Sequence, residues 1–85
     1  MSDRDLETLF TLEEIARFCA VEREWVIHHR DEGLLPDPFT PAVLIRARRM
    51  RQLERDFDAV PELAALFADL LEELDALRAQ HRKRG

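Results

Sequence analysis

Tyrosine is absent from this 85-residue chain; glycine occurs twice, proline four times, tryptophan once and cysteine once. Each shortage excludes something. A lone cysteine, Cys19, rules out an intramolecular disulfide framework and any four-cysteine zinc site. Scarce glycine and proline, with only short β-branched runs, point away from sheets and toward an all-α fold. No apolar run approaches the ~18 residues of a membrane span, and no basic-then-apolar leader opens the sequence. The expectation is a cytoplasmic protein with no membrane contact. What is present in quantity is apolar side chains (46%) and charge (36%), the balance of a globular chain rather than a disordered one. A domain of this size buries only roughly 60–65% of its unfolded surface and is marginal alone. Oligomerisation is a common supplement.

The net charge of −5 hides a strong pattern. Residues 1–36 carry nine acids against four bases, and residues 37–55 carry five bases against two acids. Residues 56–77 carry seven acids and no base, and residues 78–85 carry four bases. Most of such a surface repels phosphate and attracts a basic partner.

Thr11-Leu-Glu-Glu14 reads as a capping box that opens a first helix. Leu9 and Phe10 stand just before it, placed to pack back as a staple. Apart from Met1, Leu6 is the one apolar residue of the polar stretch before them. Leu12, Ile15, Ala16 and Cys19 share one face at helical spacing, with Phe18 beside it. Ala20-Val21 makes a tight turn. A second helix runs from about Glu22 to Gly33, whose lack of a Cβ suits a left-handed helix cap. Its inner side is Val21, Trp25, Val26 and His29. Leu34 and Leu35 follow as core plugs. Pro36 to Thr40 is too short for two paired strands. Thr40 and Pro41 open a third helix, with Val43, Ala47, Met50, Leu53 and Phe57 as its inner stripe and Arg46, Arg48, Arg49, Arg51 and Arg55 over much of the rest. Asp58 to Pro61 breaks it. A fourth helix runs from Pro61 to about His81. Leu63, Phe67, Leu70, Leu74 and Leu77 repeat by fours and threes, a coiled-coil seam that Leu66 and Leu71 widen. Arg82 to Gly85 is expected to fray.

Few constellations suggest chemistry. His28 and His29 are adjacent, so on a helix they diverge by about 100° and cannot chelate one ion together. Cys19 lies on an apolar face, where cysteine behaves as a small hydrophobe. The carboxylates fall at helix-surface spacing and mark no cleft. No enzyme, metal or cofactor is expected. The arginine run of the third helix can bind phosphates. It can equally be a solvated face, or pair with the acidic fourth helix. Trp25 falls on the buried side of its helix. Ile27 falls on the solvent side, ringed by charge, where it reads as a contact residue. A second helix meant for DNA should present Arg, Lys, Asn or Gln to phosphates and bases. This one presents Glu22, Glu24, Asp31 and Glu32.

Thr11-Leu-Glu-Glu-Ile15, the acidic second helix, Gly33-Leu-Leu-Pro36, the Arg-rich third helix ending Arg51-Gln-Leu-Glu-Arg-Asp-Phe57, Pro61 and the leucine-rich final helix come in an order that resembles the CbpM family of chaperone modulators. These are small relatives of the MerR-type helix-turn-helix regulators. The resemblance covers about Leu9 to Arg82. It implies an all-α, MerR-like helix-turn-helix with a reduced wing, followed by a C-terminal coiled-coil helix. It further implies a protein that binds the J-domain of a DnaJ/CbpA-type co-chaperone and restrains its action on Hsp70. A J-domain carries a basic helix that docks on Hsp70, so an acidic competitor makes physical sense. MerR-type DNA binders carry a phosphate-contacting arginine in the second helix, and by register Ile27 stands in that place.

The expected organisation is a head over residues 1–57 and a leucine-rich dimerisation helix over 58–85, within one domain. The expected protein-binding residues are Glu24, Ile27, His28, Asp31 and Glu32. The expected homodimer contact is Leu63, Phe67, Leu70, Leu74 and Leu77. The competing reading is a small MerR-type DNA-binding transcriptional regulator. A third is a dimeric adaptor with a partner outside the chaperone system.

Overall fold

The structure, a computed structural model, describes the backbone of residues 8–84 and the side chains of residues 8–81. Leu6 and the side chains of the basic end, 82–85, lie outside the described residues. Among the described residues four helices occur: α1 (Leu12–Cys19), α2 (Arg23–Asp31), α3 (Pro41–Phe57) and α4 (Pro61–Arg84). No strand occurs among the described residues, and the chain is all-α.

α1 begins as the sequence dictates. The Thr11 hydroxyl accepts from the Glu14 N–H at 3.1 Å, and the Thr11 N–H donates to the Glu14 carboxylate at 2.8 Å. Each satisfies a backbone donor that a helix start leaves free. The helix stops at Ala20, which is left-handed at φ 58°. A Cβ there costs roughly 1–2 kcal/mol. The turn persists because the Ala20 N–H reaches the Ala16 and Arg17 carbonyls and the Val21 N–H reaches the Ala16 carbonyl at 3.0 Å. Glu22 then opens α2 without a side-chain cap.

Gly33 sits at φ 79°, where glycine alone is unstrained. The Leu34 and Leu35 N–H groups both return to the His29 carbonyl, at 2.9 and 3.3 Å. That turn drives Leu35 into the core at 1% exposure. The segment 36–40 holds no strand. It is pinned instead: Phe39 is buried, and its carbonyl accepts from the Phe10 N–H at 2.8 Å. Thr40 caps α3 by accepting from the Val43 N–H at 3.3 Å, with Pro41 in the first turn.

α1 packs on both α2 and α3, and α4 packs on α3. The core is Ile15, Ala16 and Cys19 of α1, Val26 of α2, Leu35, Phe39, Val43, Ala47 and Met50 around α3, and Ala64, Ala65 and Ala68 of α4. Leu12, Val21, Trp25, Leu34 and Leu53 pack against it, partly buried. α4 therefore approaches α3 through alanines, whose small side chains admit a close backbone approach. Its large apolar residues face outward. Leu63, Leu66, Phe67, Leu70, Leu71, Leu74 and Leu77 are all exposed, Leu70 at 52%. From Leu71 to His81 every residue is exposed.

Phe57 corrects one expectation. It is 74% exposed rather than part of the inner stripe of α3. Asp58 turns left-handed directly after it, at φ 54°, and the helix ends before a final turn can bury the ring.

Leu35→Ala should cost about 2–5 kcal/mol, the range for removing a fully buried leucine side chain. Thermal denaturation followed by far-UV circular dichroism checks this. A melting temperature within a degree or two of the parent would contradict the packing described.

Candidate protein-binding surface

Glu24, Ile27, His28 and Asp31 stand at i, i+3, i+4 and i+7 on α2, so the helix turns them to one side. Val26 and His29 point the other way and are buried. Glu24, His28, Asp31 and the C-cap Glu32 are exposed. Ile27 is half-buried, not freely exposed as the sequence suggests, and stands among their charges. The bases flanking this face are engaged. Arg23 pairs with Glu13 of α1 at 3.1 Å, and Arg30 contacts Asp31 at 3.4 Å. Asp31 and Glu32 lie at the carboxyl end of the helix, where the macrodipole disfavours negative charge. Stability alone does not explain acids there.

The inner side of α2 is fixed by an arrangement that the periodicity reading overlooks. The His29 ring lies over the Trp25 ring, centroids 3.8 Å apart. His29 Nε2 is 2.7 Å from one Glu54 oxygen, and the Trp25 indole N–H donates to the other at 3.0 Å. His29 Nδ1 is 2.7 Å from the Trp25 carbonyl. Both neighbours of the ring are acceptors. The side chain of His29 is 3% exposed and that of Glu54 17%, so one carboxylate of α3 anchors a buried His29 and a partly buried Trp25 of α2. A signal for Glu54 was present in the sequence. It lies four residues after Met50 and seven after Ala47, on the buried stripe, and an acid at a core position demands a donor.

The arginines of α3 divide into two groups. Arg46 and Arg49 face α4. Arg46 meets Asp69 at 2.5 Å and Glu72 at 3.2 Å, and Arg49 meets Asp75 at 2.7 Å. Arg46 also donates from Nε to the Leu34 carbonyl at 2.7 Å, tying the turn after α2 to the same clamp. Burial disfavours the Arg46 charge, but the hydrogen bonds and charges of Asp69 and Glu72 outweigh it and hold the guanidinium above its ordinary pKa. A hollow of about 600 Å³ between the Gly33 turn, α3 and α4 is lined by these same ion pairs. Arg48, Arg51 and Arg55 lie on the other side of α3, toward Phe18 and Cys19.

Among the described residues no group of three or more histidine, cysteine or acidic side chains converges as a metal site. Cys19 is buried and free. Burial pushes its thiol above the ordinary value, against the pull of Arg48 and Arg51, so it stays a weak nucleophile. No helix among the described residues is long and apolar enough to cross a membrane.

The expected homodimer residues Leu63, Phe67, Leu70, Leu74 and Leu77 share the uncovered side of α4. They are remote in role from the α2 face, and nothing joins the two sets into one site. Compared with known proteins, the chain matches no family model, no curated protein and no solved structure.

Glu54→Ala should destabilise the fold by about 2–4 kcal/mol, since it removes the one carboxylate shared by the buried His29 ring and the partly buried Trp25 indole. Glu54→Gln keeps an acceptor for Trp25 and should cost less. Urea denaturation read by Trp25 fluorescence measures both. A Glu54→Ala loss below about 0.5 kcal/mol, the size of a surface change, would deny the network its role.

Proposed function

We propose that this chain is a non-enzymatic chaperone modulator that binds the J-domain of a DnaJ/CbpA-type co-chaperone and restrains its action on Hsp70. The head is read as a MerR-like helix-turn-helix with a reduced wing, redirected from DNA to a protein partner. The observation that carries the reading is the outer face of α2. Where a DNA-binding helix offers bases, it offers Glu24, His28, Asp31 and Glu32 around a half-buried Ile27, and its flanking Arg23 is already paired with Glu13.

Such a face suits a basic amphipathic helix. The rim carboxylates would act on association rate and salt sensitivity. Ile27 would act on dissociation, as a small apolar anchor does within a polar rim. The resemblance of the chain's order of elements to CbpM-like modulators supplies the partner class. The uncovered side of α4 supports a homodimer. Seven large apolar side chains at roughly half exposure leave on the order of 500 Å² of apolar surface per copy, near the upper end of what a monomer exposes. Two copies pairing these sides would bury about 1,000 Å², the lower bound for a specific interface.

Isothermal titration with a purified J-domain tests the partner. Glu24→Lys with Asp31→Lys should abolish binding while the far-UV helical signal survives. Ile27→Ala should weaken it by about 1 kcal/mol or more. If charge reversal at Asp58 and Glu62, which hold no ion pair among the described residues, destroys binding and the α2 variant binds normally, the interface lies at the start of α4 and the assignment to α2 is wrong. Sedimentation tests the dimer: Leu70→Asp should halve the mass, and a parent chain that is monomeric at tens of micromolar would refute the pairing.

A further inference from the structure

The side of α3 that faces away from α4 carries positive charge that the fold does not use. Arg17, Arg48 and Arg51 make no ion pair among the described residues. Arg55 contacts only its neighbour Asp56, at 3.5 Å. Arg51 is steadied by the Ala20 carbonyl at 3.4 Å, which fixes it beside the left-handed turn after α1. Beside these arginines is a half-exposed aromatic ring. Phe18 is 51% exposed, held edge-on by Phe10 at 5.9 Å and overlain by the Arg17 guanidinium at 5.8 Å. Phe18, Cys19, Arg48, Arg51, Gln52 and Arg55 line a shallow depression of about 190 Å³. The chain as a whole carries a net charge of −5, so a concentrated basic face is the exception on its surface.

We propose that this face is a second interaction surface, fitted to an acidic amphipathic helix of a partner protein. It is independent of the α2 face, since it shares no residue with it, and so goes beyond the reading above. Three features argue for that occupant. First, Arg48, Arg51 and Arg55 stand at i, i+3 and i+7, a span of about 10 Å along α3 at 1.5 Å per residue. A second helix laid alongside, with carboxylates at the same spacing, meets all three at once. Second, the charges are arginines, whose planar forks take carboxylates in bidentate fashion. Third, the exposed Phe18 ring between them offers an apolar socket rim for one leucine or phenylalanine of the visiting helix. Charge and apolar contact alternate here in the manner of a helix in a groove.

Nucleic acid fits less well. Glu22 and Glu54 line the neighbouring hollow together with Arg51 and Arg55, so carboxylates border the basic face within about one Debye length, ~8 Å at physiological salt. A phosphate backbone that continues past the face on that side meets them. Useful phosphate binding without sequence readout also rests on many contacts, about 6–10 in strong cases, and four arginines fall short of that.

The test uses the full chain and a fluorescein-labelled helical peptide of about 18 residues, with glutamates at i, i+3 and i+7 and leucines between them on one face. Fluorescence anisotropy should report saturable binding. Arg48→Glu with Arg55→Glu should weaken it by roughly tenfold or more, and Phe18→Ala by roughly fivefold. If the double glutamate variant does not fold, Arg48→Ala with Arg55→Ala carries the same expectation. Glu24→Lys with Asp31→Lys should leave peptide binding unchanged, which separates this proposal from the J-domain assignment. A scrambled peptide of the same composition should bind at least severalfold more weakly. Three results would overturn the proposal: no saturable binding of the peptide; tighter binding of a thymidine oligonucleotide of about 20 nucleotides than of the peptide; or a change of sedimentation coefficient in the Arg48/Arg55 variant, which would give the face to a second copy of this chain.

Discussion

A carboxylate at a core position of a helix must find donors or cost the chain several kcal/mol. Glu54 finds two, and both belong to α2. One oxygen takes the Trp25 indole and the other faces His29, while the stacked rings and the Trp25 carbonyl close the set. The consequence is geometric. α2 has only nine residues and a start with no side-chain cap, so its own hydrogen bonds do little to fix its rotation. Glu54 fixes it. With Trp25 and His29 held inward, Glu24, Ile27, His28 and Asp31 are held outward. The Gly33 turn depends on the same residue, since the His29 carbonyl accepts from both Leu34 and Leu35.

Charge is sorted by the same framework. α3 is the central helix, packed by α1 on one side and α4 on the other. Arg46 and Arg49 meet the acids of α4, which neutralises part of the most negative segment and brings α4 down onto α3 through Ala64, Ala65 and Ala68. Exposed ion pairs contribute little each, roughly 0–1 kcal/mol. Arg46 is the exception, being largely buried and tied at once to Leu34, Asp69 and Glu72. Arg48, Arg51 and Arg55 receive no such partners from α4 because they project from the opposite side. What a uniform arginine run looks like in sequence is two surfaces in space, one structural and one open.

Much of the architecture was legible from local chemistry. The Thr11 capping box, the Thr40-Pro41 start and Gly33 each demand one conformation, and the helix ends follow from them. Inner stripes at helical spacing named Ile15, Val26, Leu35, Val43, Ala47 and Met50 as core. The misreadings have physical causes. Phe57 fits the stripe by angle, but the helix ends at Asp58 and leaves it outside. Glu54 fits the stripe as well as any apolar residue does, yet a polarity rule skips it, because its donors come from a different helix. On α4 the seam spacing passes over Ala64, Ala65 and Ala68, which make the contact with α3, while the seam named as the homodimer contact stays uncovered. Spacing alone cannot tell which of two apolar faces meets the head. The α2 face was legible as a pattern of charge; that Ile27 is half-buried, and that Arg23 is paired, required side-chain positions.

The central claim is that the outward face of α2, set by the Glu54 contacts, receives the partner. The most direct measurement is an amide chemical-shift map of the nitrogen-labelled chain titrated with an unlabelled CbpA-type J-domain. The account predicts the largest shifts at Glu24, Ile27, His28, Asp31 and Glu32, with α4 beyond Leu71 little changed. Shifts centred on α4 while α2 stays still, or no shifts at saturating J-domain, would contradict it.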